Sequence, residues 1–160
     1  MDSVNPATEA PNELYALLPP DLVKALRRCE RTIRNKPGVC IIRCGQPPDH
    51  LVMIESGSVE ISLTSEGKAI ALATAGAGKV FGLRALLSGE PPEIDVICLT
   101  QCRCSLIPQQ DFLRIVKTEP QFYFAAAKIL SADLQVAQEY LKSTGRGSIR
   151  QRRERMANAH

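Results

Sequence analysis

The sequence predicts a mainly β fold, a double-stranded β-helix or jelly roll, with one α-helix before it and two after it. Three observations carry this. Between about residues 39 and 107, short runs of apolar residues, some alternating with polar ones, are separated by turns rich in Gly and Pro. At both ends of the chain the apolar spacing becomes helical. Apolar residues make up 44% of the 160, enough for a core, but Trp is absent and aromatics are 4%, so Ile, Leu, Val and Ala must build it. Many short strands flanked by helices argue for an antiparallel barrel or jelly roll.

Residues 1–12, with Pro6 and Pro11 among small polar residues, read as a mobile tail. Leu14, Leu17, Leu18, Leu22, Val23 and Leu26 recur at helical spacing, with Asp21 after Pro19-Pro20 as N-cap or first-turn acid. This helix is expected to fade between Arg34 and Pro37. Strands follow at Val39–Ile42 and His50–Ile54. In the next strand Val59, Ile61 and Leu63 alternate with Ser58, Glu60 and Ser62, the pattern of a half-buried strand. A hairpin turn around Gly67 leads into Ala69–Thr74. Phe81–Leu87 reads as a short helix opened by glycine and stopped by Pro91-Pro92. Strands are expected at Asp95–Thr100 and Cys102–Ile107, then a helix over Gln109–Val116. A longer helix spans 121–142 and is expected to end at Gly145 and Gly147. The domain therefore occupies 13–142, and 143–160 reads as a basic flexible tail.

The formal charge of +3 is unevenly placed. Arg146 to Arg155 holds five Arg and one Glu, +4, so the remainder is about −1. A neutral body with a basic tail differs from a basic nucleic-acid-binding face, and direct nucleic-acid binding is not expected. No apolar run approaches the roughly 18–20 residues that cross a bilayer. Without a secretory leader in Met1–Glu13, the expected location is the cytoplasm, with Cys29, Cys40, Cys44, Cys98, Cys102 and Cys104 as reduced thiols.

The segments Lys36-Pro37-Gly38-Val39, Cys44-Gly45-Gln46-Pro47-Pro48-Asp49-His50-Leu51, Ile54-Glu55-Ser56-Gly57-Ser58-Val59-Glu60-Ile61 and Gly78-Lys79-Val80-Phe81-Gly82, followed by Ala85-Leu86-Leu87-Ser88-Gly89, carry a resemblance. Together they resemble the cyclic-nucleotide-binding domain family, in particular the effector domain of Crp/Fnr-type bacterial transcription regulators, over about residues 14–142. The resemblance implies a phosphate-binding cassette at Phe81, Gly82, Leu83, Arg84 and Ala85, continuing to Pro92 and Glu93. In the family an acidic residue follows Phe-Gly and holds the ribose hydroxyl; here stands Leu83. About nine residues on, the family has an Arg that pairs with the cyclic phosphate; here stand Pro92 and Glu93. A Leu accepts no hydroxyl, and Glu93 repels a phosphate. The change costs roughly several kcal/mol of binding. Arg84 is the cassette's one cation, and its spacing does not suit the missing role; it reads as an exposed Arg on a short helix.

The function expected is thus a non-catalytic sensory or regulatory module with a degenerate cassette, signalling through a small molecule other than cAMP or through protein contact. The alternative is the effector half of a DNA-binding regulator, since only about 18 residues follow Lys142, too few for a three-helix DNA-binding unit. An enzyme is not expected. His50 and His160 are the only histidines, so no Ser/His/Asp or Cys/His arrangement is readable. Glu55, Glu60 and Glu66 read as solvated surface, not an acid/base pair. No metal site and no cofactor are expected: Cys102 and Cys104 share a strand face, but Cys-x-Cys on a strand is not a zinc knuckle. His50, after a turn at the barrel rim, reads as a surface His and not as an axial haem ligand. The small and apolar residues of 121–142 suggest a homodimer through that helix.

Overall fold

The computed structural model describes residues 12–157, with side chains through Val136 and at Gln138, Glu139 and Lys142. Residues 1–11 of the expected tail, and residues 158–160, lie outside the described residues. The chain divides into two compact units, Met1–Ala126 and Ala127–His160.

The first unit opens with a 3-10 turn, Tyr15–Leu17, and helix α1, Pro20–Arg27. Pro20 takes the first helical position, where its missing N–H costs nothing, and Asp21 lies in the first turn. Asn12 anchors the turn: its Oδ1 accepts from the N–H groups of Leu14 at 3.0 Å and Tyr15 at 2.8 Å. Eight strands follow: β1 Arg31–Asn35, β2 Cys40–Ile42, β3 His50–Ser56, β4 Val59–Ser65, β5 Lys68–Ala75, β6 Val80–Phe81, β7 Asp95–Cys98 and β8 Cys102–Pro108. Helix α2, Leu83–Ser88, lies between β6 and β7, and α3, Gln109–Val116, follows β8.

The strands form two antiparallel sheets, β1-β8-β3-β6 and β2-β7-β4-β5. Apart from the β4–β5 hairpin, each consecutive pair of strands lies in opposite sheets. That alternation makes the jelly roll, and it brings two inner faces together. Val52, Ile54, Phe81, Cys102 and Cys104 from one sheet meet Ile42, Val59, Val96 and Cys98 from the other, all buried in one cluster. Burying each larger aliphatic side chain here contributes roughly 1.5–3 kcal/mol. In β3, Leu51 and Met53 are buried as well, because the outer face of this sheet carries helices: α2 and α3 both contact β3, and α1 packs on α3. Phe112 of α3 meets Phe122 edge to face at 5.3 Å between ring centres.

Four expectations need correction. The N-terminal helix does not continue to residue 34: Arg31–Asn35 is strand β1, paired with β8. Four of its five residues are exposed, and it lies at a sheet edge, so charged side chains face water and no apolar alternation marks it. Phe81 belongs to the two-residue strand β6, not to the helix. In β4 the alternation breaks. The register shifts between Ile61 and Ser62, and the bulge turns Ser62 into the interior at 2% exposure in place of Leu63. The long helix α4 spans Pro120–Ala157 and does not stop at Gly145 and Gly147. One Gly in a helix costs only about 1 kcal/mol, and the Arg, Gln, Glu and Met that follow favour helix.

Candidate functional site

Two turns of the barrel are set by glycine. Gly57 joins β3 to β4 at φ +99°, and a Cβ there would lie 2.5 Å from the carbonyl oxygen of Gln101 and 2.7 Å from the Cys102 sulfur. No side chain fits. Gly82, at φ +91°, caps α2. It faces the β2–β3 loop: a Cβ there would lie 3.2 Å from the His50 carbonyl oxygen and 3.7 Å from Pro48 Cγ.

The seven residues of the expected cassette separate into two groups. Phe81, Leu83 and Ala85 are buried, Leu83 at 3% exposure, and serve the core. Arg84 points outward and pairs with Glu90 at 3.1 Å. Glu93 is exposed, and Pro92 is half-buried. The Pro92 carbonyl accepts from the Gly45 N–H at 2.9 Å. The β2–β3 loop and the start of β3 therefore touch both ends of the expected cassette: Gly82 near its start and Pro92 near its end. This contact joins residues far apart in the chain, and nothing in their spacing announces it.

A second group escaped sequence reasoning. Glu55, read as solvated surface, is half-buried. It accepts from the hydroxyl of the buried Ser105 and pairs with Arg103 Nε at 2.7 Å. Tyr15 donates to Glu30 beneath the Arg27 guanidinium, which lies 5.1 Å from its ring centre. Burial first, and then the hydrogen bond to Glu30, raise the Tyr15 pKa, so its hydroxyl stays a donor. Tyr15, Arg27, Glu30, Glu55 and Ser105 line a cavity of about 220 Å³, outside the expected cassette. Glu60 is half-buried and Glu66 exposed in the β4–β5 turn.

Cys98, Cys102 and Cys104 are buried between the sheets, Cys29 and Cys40 are half-buried and Cys44 is exposed, all as free thiols. Burial first, then a hydrogen bond to Cys102 and the neighbouring sulfurs, push the Cys98 thiol up to about 12. Burial also raises Cys104 and Cys40. Among the described residues no three His, Cys, Asp or Glu side chains are arranged to hold a metal ion. His50 opens β3 half-buried, its Nδ1 2.6 Å from Asp49 Oδ1; that bond holds the Asp49 carboxyl below its ordinary value. No described helix is long and apolar enough to cross a membrane.

Similarity to solved structures fits this architecture. The catabolite activator protein of Thermus thermophilus superposes with a TM-score of 0.72 at 21% identity, over 84% of this chain and 63% of that one. The N-terminal domain of a transcriptional regulator from Streptomyces coelicolor gives 0.62 at 22% identity, over 80% of this chain and 92% of that one. The regulatory domain of Toxoplasma gondii PKA, solved with cAMP, gives 0.62 at 23% identity, over 67% and 41%. At these identities the likeness establishes the fold. The sequence pattern of the family described as "Cyclic nucleotide-binding domain" matches residues 32–119, more than half of the chain and all eight strands but the first residue of β1. By fold and by sequence, the chain belongs to the cyclic nucleotide-binding domain family.

Proposed function

We propose that the chain is a non-catalytic sensory or regulatory module whose cassette no longer holds a cyclic nucleotide. The observation that carries this reading is the placement of Leu83 and Glu93. Leu83 stands where the family's ribose-binding acid is expected and is sunk into the core at 3% exposure. Glu93 stands at the expected phosphate partner and is an exposed carboxylate. Arg84, the nearby cation, is turned outward onto Glu90. A cyclic phosphate entering here meets like charge and no partner. The input is then a small molecule of another class, or a protein. Calorimetric titration with cAMP and with cGMP tests the reading: no saturable heat is expected, and a low-micromolar Kd for either overturns it.

A second reading, the effector half of a DNA-binding regulator, is favoured by coverage. The chain spans 63% of the Thermus catabolite activator but 92% of the Streptomyces N-terminal domain. The length of the native gene product distinguishes the two. Either form is proposed to act as a homodimer through the helix over 121–142. There Leu134 and Val136 are 58% and 59% exposed, apolar area that a twin helix would cover. The side chains of Ala137 and Leu141, small and apolar residues of the same span, lie outside the described residues.

A further inference from the structure

We propose that the cleft bounded by β1, β2, β3 and the β2–β3 loop binds a small amphipathic anion, a carboxylate on a short apolar body. This deepens the reading above and rests on it. The cleft is a cavity of about 420 Å³, within the range of small-molecule sites. It is lined by the aliphatic Ile33, Val39, Val52 and Leu106 and, over the larger part of its surface, by polar groups, Arg43 and His50 among them. Ile33 and Val39 remain 37% and 38% exposed, large aliphatic area that a ligand would cover.

The charges decide the class of ligand. Asp49 is engaged by His50 at 2.6 Å. The Arg43 guanidinium, in contrast, makes no hydrogen bond or ion pair among the described residues. A guanidinium with its donors uncommitted beside an apolar wall matches a carboxylate, which it can hold through two parallel hydrogen bonds. The 220 Å³ cavity near Tyr15 offers no such opening, because Tyr15 bonds Glu30 and Ser105 bonds Glu55.

The same loop supplies a readout. Gly45 is bonded to Pro92, the Cys44 N–H donates to Asp95 Oδ1 at 2.9 Å, and Gly82 packs against Pro48 and His50. A ligand held by Arg43, the first residue of that loop, therefore fixes the segment that touches both ends of the cassette. The cassette becomes the part that responds, not the part that binds.

Amide NMR of the full chain, titrated with octanoate, octanol and acetate, tests this. Octanoate is expected to give saturable shifts at Arg43, Gln46 and His50, and then at Gly82 and Glu93. Octanol, which keeps the body and lacks the charge, is expected to bind roughly tenfold more weakly. Acetate, which keeps only the charge, is expected to give no saturation. The exposed substitution Arg43→Gln should lower octanoate to the octanol affinity and leave the rest of the spectrum unchanged. Unsaturated shifts at a few millimolar octanoate overturn the proposal. So do shifts confined to other amides, or equal octanoate affinity in Arg43→Gln. Adding cAMP separates the two readings. Saturable shifts at Gly82–Ala85 would defeat the cassette reading while leaving the octanoate result to stand or fall on its own.

Discussion

Substituting Gly57 by Ala should be among the most damaging single-methyl changes in this domain. Two costs combine. The backbone sits at φ +99°, where an L side chain costs about 1–2 kcal/mol. The added Cβ would also lie 2.5 Å from Gln101 O, 2.7 Å from Cys102 Sγ and 2.9 Å from Cys102 Cα. Two of these are backbone atoms, so a rotamer change cannot relieve the clash, and overpacking adds about 1–3 kcal/mol. The sum, about 2–5 kcal/mol, is a large part of the roughly 5–15 kcal/mol that holds a domain together. Gly38→Ala is the control. Its φ is +87°, and a Cβ there meets nothing within 4 Å, so only the backbone cost applies. Urea unfolding followed by circular dichroism should place Gly57→Ala about 1–3 M below wild type and well below Gly38→Ala. Equal losses for the two variants would refute the packing argument and leave only backbone strain.

Four further outcomes are expected. Leu83→Ala should cost about 2–5 kcal/mol in the same unfolding assay, because Leu83 is a core residue, whereas Arg84→Ala should change stability by less than about 0.5 kcal/mol; the reverse order would mean that the cassette side chains are misassigned. Iodoacetamide labelling at neutral pH, mapped by mass spectrometry, should modify the exposed Cys44 first and spare Cys98, Cys102 and Cys104 until denaturant is added. The folded Cys98 value is raised from an ordinary 9.0 to about 12, so its contribution to stability is present below pH 9 and is lost as pH rises through that window; flat stability between pH 9 and 12 would contradict this. Leu134→Glu, at a residue 58% exposed, should abolish self-association in light scattering while leaving the circular dichroism spectrum unchanged, and a wild type that is monomeric at tens of micromolar would remove the proposed dimer.

The jelly roll was readable because its cues are local. The alternation that opens β4 before its bulge, the Gly67 hairpin and the apolar face of α3 each sit within a few residues, and Gly38, Gly45 and Gly57 all adopt the positive φ their turns require. What the sequence concealed depends on pairing across the chain. β1 carries two arginines, a threonine and an asparagine around Ile33, and only its partnership with β8 makes it a strand. The bulge that buries Ser62 is a register event between β4 and β5. That Leu83 and Glu93 stand where the resemblance implies an acid and an Arg was legible in the sequence. The role of the β2–β3 loop was not, since Gly45 meets Pro92 only in the folded chain. Glu55 looked like surface because its partners, Ser105 and Arg103, come from a strand about fifty residues on.

The cAMP affinity of Glu93→Arg, measured by calorimetry beside wild type, tests the cassette assignment most directly. Glu93 is exposed, so the exchange should leave the fold intact. If position 93 faces the phosphate site, replacing a repelling carboxylate by a guanidinium should turn no saturable heat in wild type into measurable cAMP binding in the variant. A wild type that already binds cAMP with a low-micromolar Kd, or a variant that gains nothing, would contradict the account.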